Sequence, residues 1–316
     1  MPEKQAVRLG YISVCCAALL WAASGNVSKF LLQSEVSPFQ LVQLRTTLAA
    51  ALLFLFLLVR RRDLLKIARS DVLYFIILGT VLAVMLFAYL YAISRIHVAA
   101  AVLLQYQAPA LIALYSFFFH QRKLSAFTVV AIVGAIIGCY LMVGAYNLNI
   151  LNMNKAGILS GLASAVALAL YSVRSEYGMR TYSAWTVLSY ALLVAAIIWN
   201  ILIPPLAAFA GKYSASAWGW LIFISLFGTI APFGLYSEGI KRIHSTHASI
   251  TATLEPVMAG LIAYALLGEV MELPQLIGAG TVIGAILLLP IEELRVAGLH
   301  QQNRSSKDQQ KRGRTR

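Results

Sequence analysis

Charge is what this chain has least of. Asp, Glu, Lys and Arg together make up 12% of its 316 residues, and acids account for only 12 positions. Hydrophobic residues make up 60% and the mean hydropathy is +0.78, more apolar surface than a soluble domain of this size can cover. That excludes a soluble enzyme or binding module and puts the chain in a bilayer. The few charges are mostly basic, for a net +13. They sit in short loops and a terminal tail between long apolar runs, the pattern of a membrane protein with basic loops on one side, so no nucleic-acid partner is expected.

Cysteine is scarce as well. Cys15, Cys16 and Cys139 cannot all pair, each lies in an apolar run, and no histidine stands at ligand spacing. A disulfide framework and a cysteine-based metal site are excluded, and the three read as apolar side chains. The chain also lacks an HExxH motif, a nucleophile elbow and a His/Asp constellation, which deprives an integral-membrane enzyme of its catalytic cluster. No metal or cofactor is expected.

What the sequence does have is a copy of itself. Tyr89, Ile93, Arg95, Ile96, His97, Ala101 and Pro109 recur as Tyr236, Ile240, Arg242, Ile243, His244, Ala248 and Pro256, each pair 147 residues apart. The same spacing pairs Gly10 with Gly157 and Ser13 with Ser160, and a one-residue slip pairs Gly134 and Gly138 with Gly280 and Gly284. Colinear matches over both halves identify a tandem duplication.

About 20 apolar residues cross a bilayer as a helix, and ten such runs can be marked: 9–32, 38–59, 72–93, 98–119, 126–145, 156–173, 182–203, 215–240, 247–267 and 273–291. Five per half means that the second copy enters from the opposite side. The expected fold is therefore all-α integral membrane, ten transmembrane helices arranged as two inverted five-helix repeats. Residues 1–8 form a cytoplasmic N-terminus, 9–145 the first repeat, 146–155 an extracytoplasmic linker, 156–291 the second repeat, and 292–316 a basic, disordered cytoplasmic tail. Lys4 and Arg8 ahead of an apolar run imitate a signal peptide, but the matching segment in mid-chain marks a retained helix. Twenty Lys and Arg fall on one side of this layout and four on the other, which places both termini in the cytoplasm. Glycines four apart in the fifth, sixth and tenth runs allow close helix packing, within the chain or against a second protomer, so monomer and homodimer both stand.

Glu255 lies near the middle of the ninth run, where a lone carboxylate is costly and needs a cavity, a partner or a proton. Pro256 beside it lacks an N–H, which leaves a carbonyl near position 252 available to a ligand or water. The matching stretch of the fourth run holds Gln105, Tyr106, Gln107 and Pro109, with Gln105 and Pro109 on one face. In the first run Trp21, Ser24, Gly25 and Ser28 form a stripe that lines a pocket or packs a helix. Ser160, Ser164 and Tyr171 form a weaker row in the sixth run, and Asn26 is polar within an apolar stretch. The candidate substrate lining is Trp21, Asn26, Gln105, Tyr106, Tyr171 and Glu255, with Pro109 and Pro256 as helix breaks. Arg45, one-third into the second run, is expected to snorkel to the outer interface. Tyr89, Tyr91 and Tyr236 are expected to anchor helix ends at the headgroups, Glu238 to pair with Lys241 or Arg242, and His97, His244 and His247 to be solvated at helix ends.

The order Leu254, Glu255, Pro256, Val257, followed by Gly268 and Glu269, resembles the end of the EamA repeat of the drug/metabolite transporter superfamily. Trp21, Lys29, Pro38 and Arg45 fit it as well, and the likeness spans about residues 9–291. It departs at Gln121 and Arg122, which stand where the second copy has Gly268 and Glu269, so that acid is not matched in the first copy. The resemblance implies export of small metabolites or amphipathic compounds across the plasma membrane. The expectation is a secondary transporter in the plasma (bacterial inner) membrane, handling amino acids or amphipathic drug-like compounds by alternating access, with protons as a coupling ion. An integral-membrane enzyme or a scaffold without transport activity is the alternative. An aromatic and amide lining suits amino acids, related metabolites and drugs alike. Few buried cations speak against sugar phosphates or nucleotide sugars.

Overall fold

The computed structural model describes residues 3–33, 36–120, 125–149, 152–204, 206–211, 213–267 and 270–290. The tail 292–316, the loop residues Gln121, Arg122, Gly268 and Glu269, and the side chain of Asn26 lie outside the described residues. Among the described residues all regular structure is helical. In order stand α1 (Glu3–Gln33), α2 (Pro38–Arg60), α3 (Val72–Arg95), α4 (Val98–Gln105), α5 (Ala108–His120) and α6 (Ala126–Met142). The second half continues with α7 (Lys155–Gly178), α8 (Ala184–Leu202), α9 (Ala215–Ser225), α10 (Ala231–Ala252), α11 (Glu255–Leu267) and α12 (Leu273–Pro290). A single π-helical turn, Leu226–Ile230, joins α9 to α10.

Short polar residues start these helices. Ser37 accepts from the Gln40 N–H while the Gln40 side chain accepts from the Ser37 N–H, with Pro38 at the first position. Asn154, Ser183 and Ser214 cap α7, α8 and α9. Each cap satisfies a donor that the first turn leaves open, worth about 1 kcal/mol. Outward faces are apolar: Phe56, Phe118, Phe119 and Ile201 are all exposed. So large an unpartnered apolar surface suits hydrocarbon and not water.

Among the described residues eight helical stretches are long and apolar enough to cross a membrane, and Ala126–Met142 is a shorter apolar helix. Two features separate this from the ten runs read in the sequence. The fifth run folds as a 17-residue helix, and the eighth and part of the ninth join in one stretch, Ala215–Ala252. His244 lies inside that stretch with φ 64° and ψ 161°, so the helix is kinked there. Its counterpart His97 stands in the break between α3 and α4.

The two halves exchange contacts. α1 lies along α10, and α7 lies along α3. A Cβ at Gly10 would come within 2.7 Å of Ile243 Cγ2, and one at Gly157 within 2.7 Å of Ile96 Cγ2. These are duplicated glycines meeting duplicated isoleucines, each across to the other half. Removing the side chain lets the backbones approach, as membrane helices require when hydrophobic force between them is absent. α6 and α12 also pack on each other, through Gly138 and Gly278. Gly280 and Gly284, read in the sequence as packing glycines, have nothing among the described residues within 4 Å of the position a Cβ would take.

Candidate functional site

Both halves break a helix at the same place. α4 ends at Gln105, two residues turn, and α5 starts with Ala108 and Pro109; α10 ends at Ala252, two residues turn, and α11 starts with Glu255 and Pro256. Proline is tolerated in a first turn, but it cannot donate to the carbonyl four residues before it. At the second break that carbonyl is Ala252 O, and it accepts a 2.9 Å bond from Tyr106 Oη. The carbonyl expected to be left for a ligand is thus held by the first half's phenol. The same phenol lies 2.6 Å from Glu255 Oε2. Tyr106 has one hydrogen for these two oxygens. Both contacts are satisfied when Tyr106 donates to Ala252 and a protonated Glu255 donates to Tyr106.

Arg45 is only 5% exposed. It does not snorkel: Nε donates to Thr229 Oγ1 and Nη2 to Gly228 O, both at 2.6 Å. Pro232, four residues after Gly228, has no N–H to give that carbonyl in α-helical register, and the π-turn displaces the backbone there. Gly228 also has to be small, since a Cβ would fall 2.8 Å from Ser24 Cβ. The same device, a proline freeing a carbonyl for a buried donor, therefore operates twice.

Between these features lies a cavity of about 60 Å³, walled by residues that include Trp21, Arg45, Tyr89, Tyr106, Tyr236 and Glu255. Gln105, Pro109, Ser24 and Ser28 also reach it, so the stripe read in the first run does line a pocket. Trp21 meets Phe233 edge-on at 5.1 Å and Tyr236 at 5.4 Å. Arg45 and Glu255 line the same space, without a salt bridge between them among the described residues.

Tyr171 stands behind this wall, fully buried, with Phe233 5.9 Å away. Its hydroxyl is buried and has no hydrogen-bond partner among the described residues. Pro256 shapes α11 and does not line the cavity. Among the wall residues are three for which the sequence pattern points elsewhere. Arg45 was placed at the interface, and Tyr89 and Tyr236 in the headgroup belt; Tyr236 is instead 1% exposed, with Ser172 Oγ 2.9 Å from its hydroxyl. The 147-residue pairing of the two tyrosines was the signal that could have found them. Glu238 pairs with Arg242 at 2.7 Å as expected. His244 meets Glu176 at 2.9 Å, and His247 meets Tyr11 at 3.1 Å, so neither is simply solvated.

Comparison with known proteins agrees with the duplication. The model of the EamA-like transporter family matches twice, over residues 8–144 and 155–290. The chain belongs to the EamA-like transporter family. Curated relatives of this EamA protein include the uncharacterized inner membrane transporter YicL of Salmonella typhimurium, 27% identical over 92% of this chain and 98% of that one. An uncharacterized transporter of Archaeoglobus fulgidus is 31% identical over 64% of this chain and 70% of its own. A solved crystal structure superposes with a TM-score of 0.72 at 22% identity, over 91% of this chain and 97% of the other, which establishes the likeness of fold. The EamA chain is a multi-pass membrane protein of a transporter family.

Proposed function

We propose that this chain is a secondary transporter that carries small metabolites, such as amino acids or amphipathic drug-like compounds, outward across the plasma membrane by alternating access. The observation that carries the reading is the cavity where a broken helix of each half meets an acid and a cation. In transporters with internal repeats, substrate sites form at such discontinuous helices between the halves. The relative YicL is named as an inner membrane transporter, and the high apolar content of this chain is compatible with that location.

Ten spans and inversion belong to the same proposal. Cross-half contacts pair residues that the ten-span layout puts on one side: Thr186 with Leu64 at 2.7 Å, Tyr74 with Arg174 at 2.7 Å, and Gln43 with Asn200 at 3.1 Å. The reciprocal Gly10 and Gly157 packing fits two halves related by a pseudo-two-fold axis. A reporter fused at Asn149 is expected outside and one at Arg62 inside; the same side for both would end the layout.

Proton coupling is supported by the hydrogen count at Tyr106, which favours a protonated Glu255. A carboxyl that gains and loses a proton as the cavity changes sides can couple movement to a gradient. The direct test is uptake of radiolabelled candidates into proteoliposomes with and without an imposed proton gradient. Gradient-dependent accumulation of any of them supports the reading. No accumulation of amino acids, related metabolites or amphipathic cations would contradict it.

A further inference from the structure

We propose that Arg45 is the anchor for a carboxylate on the transported molecule, so that the site selects small organic monoacids with an apolar body. This rests on the reading of the cavity as the transport site. A guanidinium at this depth is costly unless its charge is balanced. The partners it has are neutral, a threonine hydroxyl and a backbone carbonyl, each at 2.6 Å. They use Nε and Nη2 and so fix the plane of the fork. Nη1 has no partner among the described residues, and Arg45 belongs to the cavity wall. The carboxyl of Glu255 shares that space, but its short bond goes to Tyr106 at 2.6 Å. With Glu255 protonated, the cavity holds one uncompensated positive charge. A ligand with one negative charge neutralises it.

Geometry narrows the class. A held guanidinium with free N–H groups matches a carboxylate, and its planar fork tolerates little change of shape. Phosphate at neutral pH carries more charge than a single arginine balances, and among the described residues no second Lys or Arg lines the cavity. The wall also carries an aromatic group, Trp21 set against Phe233 and Tyr236, which suits an apolar body. A space of about 60 Å³ holds only a few water-sized groups, so this conformation receives the acid head first and must open for the body. An amine on the ligand is not required, although an ionised Glu255 can hold one.

The test is binding, which does not depend on transport. Purified full-length protein in detergent is titrated by calorimetry with benzoate, 3-phenylpropionate and butyrate, with their amides, with 3-phenylpropylamine and with inorganic phosphate. At least one acid is expected to bind, with its amide, the amine and phosphate weaker by about tenfold or more, the worth of one charged hydrogen-bonded pair. Arg45→Gln is expected to remove that preference. Should Arg45→Gln not be recovered folded, Arg45→Lys keeps the charge but loses the fork, and is expected to bind the acid about tenfold more weakly. Binding of the amide as tight as the acid, unchanged acid binding in either variant, or no binding of any acid overturns the proposal. Arg45-dependent acid binding without uptake of any compound would leave the anchor standing and remove the transport reading. Uptake indifferent to Arg45 and to carboxylates would do the reverse.

Discussion

The two helix breaks are the same backbone with different chemistry. Each has two turning residues followed by a helix with proline at its second position, 147 residues apart. Around the first stand Tyr106 and Ala108; the equivalents around the second are Thr253 and Glu255. Arg45 likewise has no cationic counterpart, since α8 carries neither Lys nor Arg. Tyr89 and Tyr236 are kept in both halves and both line the cavity. Duplication thus supplies a symmetric frame, and the Arg45 cation, the Tyr106 phenol and the Glu255 acid are not repeated in the other half. A frame that rocks needs matched halves, whereas a site that holds one ligand in one orientation does not.

Three changes probe that division, in falling order of effect. Gly10→Leu and Gly157→Leu force a side chain into equivalent cross-half contacts, and each is expected to destabilise by about 1–3 kcal/mol through overpacking. Melting temperatures in detergent should fall by similar amounts; a drop in only one would break the symmetry of the frame. Tyr106→Phe leaves Ala252 O and Glu255 without their shared partner and is expected to cost about 1–2 kcal/mol. It should also slow gradient-driven uptake, and a variant that melts and transports like the parent would show that the phenol is not a latch. Removing residues 301–316, which are polar and basic with little to bury, is expected to leave uptake unchanged at equal membrane levels. Lost uptake would give that segment a role outside the frame.

Much of this was readable from residue order, for identifiable reasons. Proline lacks an N–H whatever surrounds it, so the breaks before Pro109 and Pro256 follow from the sequence alone. Trp21, Gln105, Tyr106 and Glu255 sit at matching depths and do meet at one cavity. Arg45 misled because distance along a run measures depth only for a straight helix beside lipid. A π-turn and Pro232 on another element, 184 residues away from it at Thr229, give it partners that no local pattern announces. Tyr171 packs against Phe233 with its hydroxyl buried, behind the wall and not in it. Glycine spacing revealed that α6 and α12 allow close packing, yet not which face does it: Gly278 makes the contact, and Gly280 and Gly284 point elsewhere.

The claim that most depends on this geometry is that Glu255 works as a proton carrier in the path of the substrate. Glu255→Gln copies the protonated carboxyl, retains a group that can donate to Tyr106, and removes the proton that can be given up. In proteoliposomes it is expected to abolish accumulation driven by a proton gradient while allowing downhill exchange of the same compound. Normal accumulation and exchange, with an unchanged pH profile, would contradict the account and leave Glu255 as a packing residue.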